Sequence, residues 1–267
     1  MVLRSAFFIF LFVPFLIVIV PLQSLLLALR VPFWNFIPRL FHKMGCTFIG
    51  LKVTVLGKPE QNRPTLLVSN HVSWTDILAI GSVADLTFVA KSEVGRWPVV
   101  GFMASLQKTI FVDRNRRSDA GRTTKEMGAR MAAGGAVLLF AEGQSDIGTH
   151  VLPFRSALVG AAQHAMEEAG AKDVVIQPVT IAYTHLQGLP VSRNERSLIA
   201  WIKSRTVGEN ISDILSGGTK NVTIAFGTPR PLARGADRKQ VTKAAEEEVR
   251  AMLVALNRGL PLPAPAP

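Results

Sequence analysis

The chain has 267 residues, a length that suits one domain or one domain with an appendage. Its net charge of +11 calls for an anionic partner. With no recognised nucleic-acid motif or aromatic-basic platform, that partner is a membrane surface or an anionic substrate and not nucleic acid. Cys46 is the sole cysteine, which excludes an intrachain disulfide and fits a cytoplasmic catalytic face; its apolar neighbours mark it as a buried filler and not a nucleophile.

From Ala6 to Leu29 there is no charged residue, and Phe, Leu, Ile and Val dominate. A helix of that length could cross a hydrocarbon core of about 30 Å. Pro14 and Pro21 interrupt the run, so a kinked span and a shallow re-entrant hairpin are both admissible. The run is too long for the apolar core of a cleaved signal peptide, and no Ala-x-Ala site follows. We therefore expect a membrane anchor. From Val31 to Phe48, Trp34, Phe36, Leu40 and Phe41 interleave with Arg39, His42 and Lys43, the pattern of an interfacial amphipathic helix or an ordinary surface helix.

Beyond this, short β-like runs alternate with helical ones. Strands are predicted over Lys52–Leu56, Thr65–Asn70, Leu86–Ala90, Thr109–Asp113, Ala136–Phe140, Val174–Tyr183 and Asn221–Phe226. Helices are predicted over Asp76–Val83, Val99–Leu106, Ser118–Ala133, Ser156–Ala169 and Asp237–Leu256. The alternation implies an α/β fold: a mixed, largely parallel sheet flanked by helices, behind an N-terminal membrane-associated helical segment. The expected divisions are an anchor with its interfacial helix (1–48), a catalytic domain (49–258) and a Pro-rich disordered tail (259–267).

Between the strand at 65–70 and the helix at 76–83 lies Asn70-His71-Val72-Ser73-Trp74-Thr75-Asp76. A strand-to-helix turn can hold an imidazole in the open while a carboxylate reaches its other nitrogen, the arrangement of a general base and its orienting group. Ser73 or Thr75 would cap the helix. A His-x4-Asp pair arises by chance about once in seven such chains. The competition is absent, however: there is no Gly-x-Ser-x-Gly elbow, zinc-spaced His/Cys cluster, Walker loop or Gly-x-Gly-x-x-Gly.

Three further segments stand at strand ends, where α/β folds build sites. Lys108-Thr109-Ile110-Phe111-Val112-Asp113-Arg114 closes on an arginine fork suited to phosphate. Phe140-Ala141-Glu142-Gly143-Gln144-Ser145 offers a carboxylate to hydroxyl donors and a glycine for close backbone approach. Leu152-Pro153-Phe154-Arg155 sets an arginine before a small-residue helix, with Lys91 and Arg96 extending the positive rim.

Taken in order with Gln177-Pro178-Val179-Thr180-Ile181, these motifs resemble the lysophosphatidic acid acyltransferases (1-acylglycerol-3-phosphate O-acyltransferases) over about residues 50–185. The resemblance implies His71 as catalytic base with Asp76 as its partner. It also implies Arg114, Glu142 and Gly143 as acceptor-binding residues, with Lys108 and Arg155 added to the same set by their positions. The family's third motif usually reads Phe-Pro-Glu-Gly-Thr-Arg-Ser; this chain has Ala141, Gln144 and Ser145 and lacks that arginine. Phe-Ala-Glu-Gly followed by Leu-Pro-Phe-Arg-Ser also resembles the lyso-ornithine lipid acyltransferases.

The first reading is thus acyl transfer from acyl-CoA or acyl-carrier protein to the sn-2 hydroxyl of 1-acylglycerol-3-phosphate, giving phosphatidic acid for phospholipid synthesis. Its alternatives are a lyso-ornithine lipid acceptor or a non-catalytic lipid-binding protein of the membrane surface. Expected partners are anionic membrane lipids, the thioester donor and the lysolipid acceptor. No metal or cofactor is expected beyond the co-substrate, and the expected place is the cytoplasmic face of the inner membrane.

Overall fold

The computed structural model describes residues 8–31, 33–60, 63–112, 117–157, 159–160, 170, 174–202, 206–232 and 235–264. A π-helical turn, Phe8–Phe12, runs into α1 (Val13–Ala28), and a short turn leads to α2 (Phe36–Ile49). Pro21 lies inside an unbroken α1. The helix from Phe10 to Ala28 has a mean hydropathy of 2.5 and is long and apolar enough to cross a membrane.

The sheet follows: β1 (Leu51–Leu56), β2 (Thr65–Ser69), β3 (Thr87–Lys91), β4 (Ile110–Val112), β5 (Ala136–Phe140), β6 (Val175–Leu186), β7 (Leu189–Pro190), β8 (Lys220–Phe226) and β9 (Arg230–Pro231). Interleaved are α3 (Thr75–Gly81), α4 (Ser92–Gly95), α5 (Pro98–Leu106), α6 (Arg117–Ala132), α7 (Arg193–Ile199), α8 (Val207–Ser216) and α9 (Arg238–Asn257). The strand order is β1-β8-β6-β2-β5-β3-β4. All neighbours on this path pair in parallel except β6 with β8, and the stubs β7 and β9 pair antiparallel with β6. The expected mixed, largely parallel α/β sheet is the one found.

Its central strand, β2, is buried at every position, which explains why Thr65-Leu66-Leu67-Val68-Ser69 reads as a continuous apolar run without alternation. One face of the sheet packs Leu66, Val68, Val137 and Leu139 against α9 residues Val249 and Leu253. The other packs Leu67, Leu138 and Ile181 against Ile80 of α3 and Cys46 and Ile49 of α2. The helix over residues 36–49 is therefore docked on the α/β core through Ile37, His42, Cys46 and Ile49.

The departures from expectation are local. Neither Ser73 nor Thr75 caps α3: its N-cap is Trp74, whose side chain makes no capping bond and donates instead to Asn210 Oδ1 at 2.9 Å, while Thr75 is turned to Tyr183. The region between β7 and β8, left unassigned by hydrophobic pattern, folds as α7 and α8. Each opens on a capping box, Ser192/Glu195 and Thr206/Glu209. The expected helix at Ser156–Ala169 falls largely outside the described residues.

Candidate active site

At the C-terminal end of β2 the ladder to β6 is continued by a side chain. The Asn70 amide donates to Ile181 O and accepts from Ile181 N, both at 2.9 Å. With the amide standing in for backbone pairing, the main chain is released to turn outward, and His71 emerges at the sheet edge.

Asp76, in the first turn of α3, points back into that turn and is fully buried. A carboxylate out of water is costly unless hydrogen-bonded. Here Oδ2 accepts from His71 Nδ1 at 2.8 Å, Val72 N at 2.7 Å and Ser73 N at 3.0 Å. Oδ1 accepts from the Tyr183 hydroxyl at 2.7 Å. Since Tyr183 donates to Asp76, the 2.6 Å contact between Thr75 Oγ1 and the phenol makes Thr75 the donor there. Burial, and beside it the Asp76 charge, push the Tyr183 phenol well above its usual pKa, so its proton stays in place to donate.

This chain of donors fixes the tautomer of His71. An ionised Asp76 only accepts, so Nδ1 carries the proton and Nε2 keeps its lone pair. Among the described residues Nε2 has no hydrogen-bond partner. The imidazole is 17% exposed and lies on the ring of Phe140, centroids 4.0 Å apart and planes 18° apart.

The loop after β5 holds the same residue through its backbone. His71 N donates to Glu142 Oε2 at 2.6 Å, and His71 O accepts from Asp146 N at 2.9 Å. The other oxygen of Glu142 accepts from Leu152 N at 2.7 Å. Glu142 is buried, and that burial pushes its carboxyl from the usual 4.5 up to about 8, against the pull of the two N–H donors. Gly143 follows at φ +71°, a conformation that favours glycine, and its N–H bonds Phe140 O at 3.0 Å.

The remaining expected residues are placed as follows. Arg155 is exposed, with its backbone N–H bound to Ala141 O at 2.8 Å, which seats it beside the Glu142 turn. Lys108 enters β4 from the end of the sheet away from His71. Its ammonium lies 4.0 Å over the Trp34 ring, and burial, then Arg130, lower its pKa. That position corrects its expected place on the substrate rim: the parallel register brings Val112, not Lys108, to the His71 edge. Arg114 lies outside the described residues.

Pattern reading missed Tyr183 and Phe140 as parts of the site, and Trp201, whose backbone N–H bonds Val72 O at 2.9 Å. One signal was available: Tyr183 is the only tyrosine in the chain and stands in a run of buried apolar residues.

An imidazole with a fixed tautomer, a fully bonded carboxylate behind it and a backbone clamped from two sides form an arrangement that can take a proton from a hydroxyl. Residues 51–182 match the model of the acyltransferase family. The chain belongs to the acyltransferases. It is 40% identical to the lyso-ornithine lipid O-acyltransferase of Brucella abortus (strain 2308) over 92% of each chain. It is 37% identical to that of Rhizobium meliloti (strain 1021), over 91% of this chain and 83% of the relative. Its fold is similar to the crystal structure of the 1-acyl-sn-glycerophosphate (LPA) acyltransferase PlsC from Thermotoga maritima. The TM-score there is 0.65 at 21% identity, over 96% of this chain and 95% of that one.

Proposed function

We propose that the protein is a lyso-ornithine lipid O-acyltransferase, moving a fatty acyl group from acyl-CoA or acyl-carrier protein to the free hydroxyl of a single-chain ornithine lipid. The observation that carries this reading is the likeness to two enzymes of that name along nearly the whole chain. It displaces the glycerophosphate acceptor put first on motif grounds. The Phe-Ala-Glu-Gly-Gln-Ser segment, without the arginine usual in the glycerophosphate enzymes, supports it from the sequence side.

In the reaction, His71 Nε2 takes the acceptor hydroxyl proton as the oxygen attacks the thioester carbonyl. Asp76 holds the imidazolium that forms. Collapse of the tetrahedral intermediate breaks the C–S bond, and the imidazolium returns its proton to the departing thiolate. No enzyme acyl intermediate is required. Arg155 and Arg114 are the side chains we assign to the acidic part of the acceptor, and Glu142 and Gly143 to shaping the turn it meets. The reaction runs on the cytoplasmic face of the inner membrane, with α1 as anchor.

An acceptor panel tests the proposal. Purified protein is offered lyso-ornithine lipid, lysophosphatidic acid and lysophosphatidylglycerol, each with acyl-CoA and with acyl-carrier protein. Turnover of the ornithine lipid well above the others is expected. Turnover confined to lysophosphatidic acid would sink the assignment, and free fatty acid release without any acylated product would mark a hydrolase.

A further inference from the structure

Helix α5 has the sequence Pro98-Val99-Val100-Gly101-Phe102-Met103-Ala104-Ser105-Leu106, without a charge. Its inner side is fixed: Gly101, Ala104 and Leu106 are buried. A Cβ on Gly101 would stand 2.2 Å from Gly95 O, so α5 is pressed onto α4 with no room to rotate. The outer side therefore presents Val99 at 74%, Phe102 at 51% and Val100 at 47% exposure. A surface helix in water would carry polar residues there.

Both ends of α5 are tied to parts that matter. At its C-terminal end the buried Gln23 of α1 donates to Leu106 O at 2.8 Å. The same corner holds His42 of α2 on Gln107 Oε1 at 2.7 Å and Lys108 over Trp34. At its N-terminal end Trp97 packs on Trp201, ring centroids 6.1 Å apart, and Trp201 N–H bonds the carbonyl of Val72, next to His71. α5 and α1 thus both present exposed apolar residues (Ile17, Val18, Leu22 and Leu25 on α1), and α5 runs from its contact with α1 toward the catalytic turn. At the margin stand Trp97, half-buried, and Arg96, exposed, residue types that settle at the headgroup level of a bilayer.

We propose that α5 is a second membrane-contacting element: its Val99–Val100–Phe102 face docks into the same leaflet as α1 and sets the His71 mouth against the bilayer surface. The inference rests on the reading of the protein as an acyltransferase acting on a membrane lipid. Its occupant is lipid acyl chain, because α5 is bonded end-on to a helix of bilayer length and composition that exposes apolar residues as it does.

The test uses full-length protein with a polarity-sensitive fluorophore on Val99→Cys or Phe102→Cys, and on Leu189→Cys of the β6–β7 hairpin as the exposed reference. The native Cys46 is buried and its thiol is pushed up to about 12 by that burial, so it does not compete for the label. In phosphatidylcholine–phosphatidylglycerol vesicles, labels at 99 and 102 should turn blue, be quenched several-fold by acyl-chain nitroxide lipid and be untouched by aqueous iodide. The label at 189 should show the reverse. Quenching of the 99 and 102 labels by iodide would overturn the proposal. So would labels shielded from both quenchers, which would mean that a second protein copy covers the face. This readout needs no turnover, so it stands or falls separately from the acceptor assignment. In the activity arm, Val99→Asp/Phe102→Asp should raise the apparent KM for vesicle-borne acceptor several-fold at unchanged kcat. An unchanged KM would refute the orienting role.

Discussion

Asp76 receives four donors on two oxygens, three of them on Oδ2. Those bonds hold the carboxylate in place behind His71. Removing the proposed base, His71→Ala, should lower kcat by about 10²–10⁴-fold while sedimentation with vesicles stays unchanged; full turnover would disprove the assignment. Tyr183→Phe deletes one donor, leaving a buried carboxylate oxygen unsatisfied at a cost of about 1–3 kcal/mol in stability. With one bond fewer to fix the carboxylate behind the imidazole, kcat should fall while KM stays unchanged. An unchanged kcat would mean that Tyr183 only packs. The pair His71 and Asp76 was legible in the sequence because both lie within one turn. Tyr183 was not, because it reaches Asp76 from a strand 107 residues away and nothing in its own neighbourhood marks the contact.

Among elements, the packing of α2 on α3 decides where the Asp76 helix sits. Gly81 faces His42 there with no room to spare: a Cβ would stand 2.5 Å from His42 Cδ2 and 2.7 Å from Nε2. Gly81→Ala must push His42 off Gln107. We expect about 1–3 kcal/mol of destabilisation, seen as a lower urea midpoint at unchanged m. The sheet strands and the long helices were readable because their periodicities are strong. The helix over 36–49 was read as interfacial because Arg39 and Lys43 alternate with aromatics. Its other face, with Ile37, Cys46 and Ile49, is the one the core takes. The capping boxes of α7 and α8 stand plainly in the sequence, yet those helices are short and give little periodicity to read.

Across the whole molecule, two buried groups give stability opposite dependences on pH. Burial lowers His42 from 6.5 to about 4, so its contribution is full above 6.5 and is lost as pH falls through 4. Glu142 is raised from 4.5 to about 8, so its contribution is full below 4.5 and is lost as pH rises through 8. Between pH 6.5 and 8 only Glu142 acts. Urea unfolding should show stability falling with pH in that window, and Glu142→Gln should flatten the slope while lowering stability by about 1–3 kcal/mol for the N–H donor it faces with an amide. A slope unchanged in the variant would mean that Glu142 is ionised throughout. Such offsets are invisible in a sequence, because they arise from how deeply a side chain is buried and not from what precedes it.

The outer pair of the sheet also bears on how the protein is made. β1 lies far ahead in the chain of β8, its ladder partner among the described residues. At about 5–20 residues per second, the ribosome needs many seconds to produce Lys220–Phe226 after Leu56 has left it. Throughout that interval the strand's backbone donors and acceptors have no native mate. The nascent chain must therefore hold an apolar helix and an open strand side by side until Lys220–Phe226 has been made, a demand met before the sheet can close.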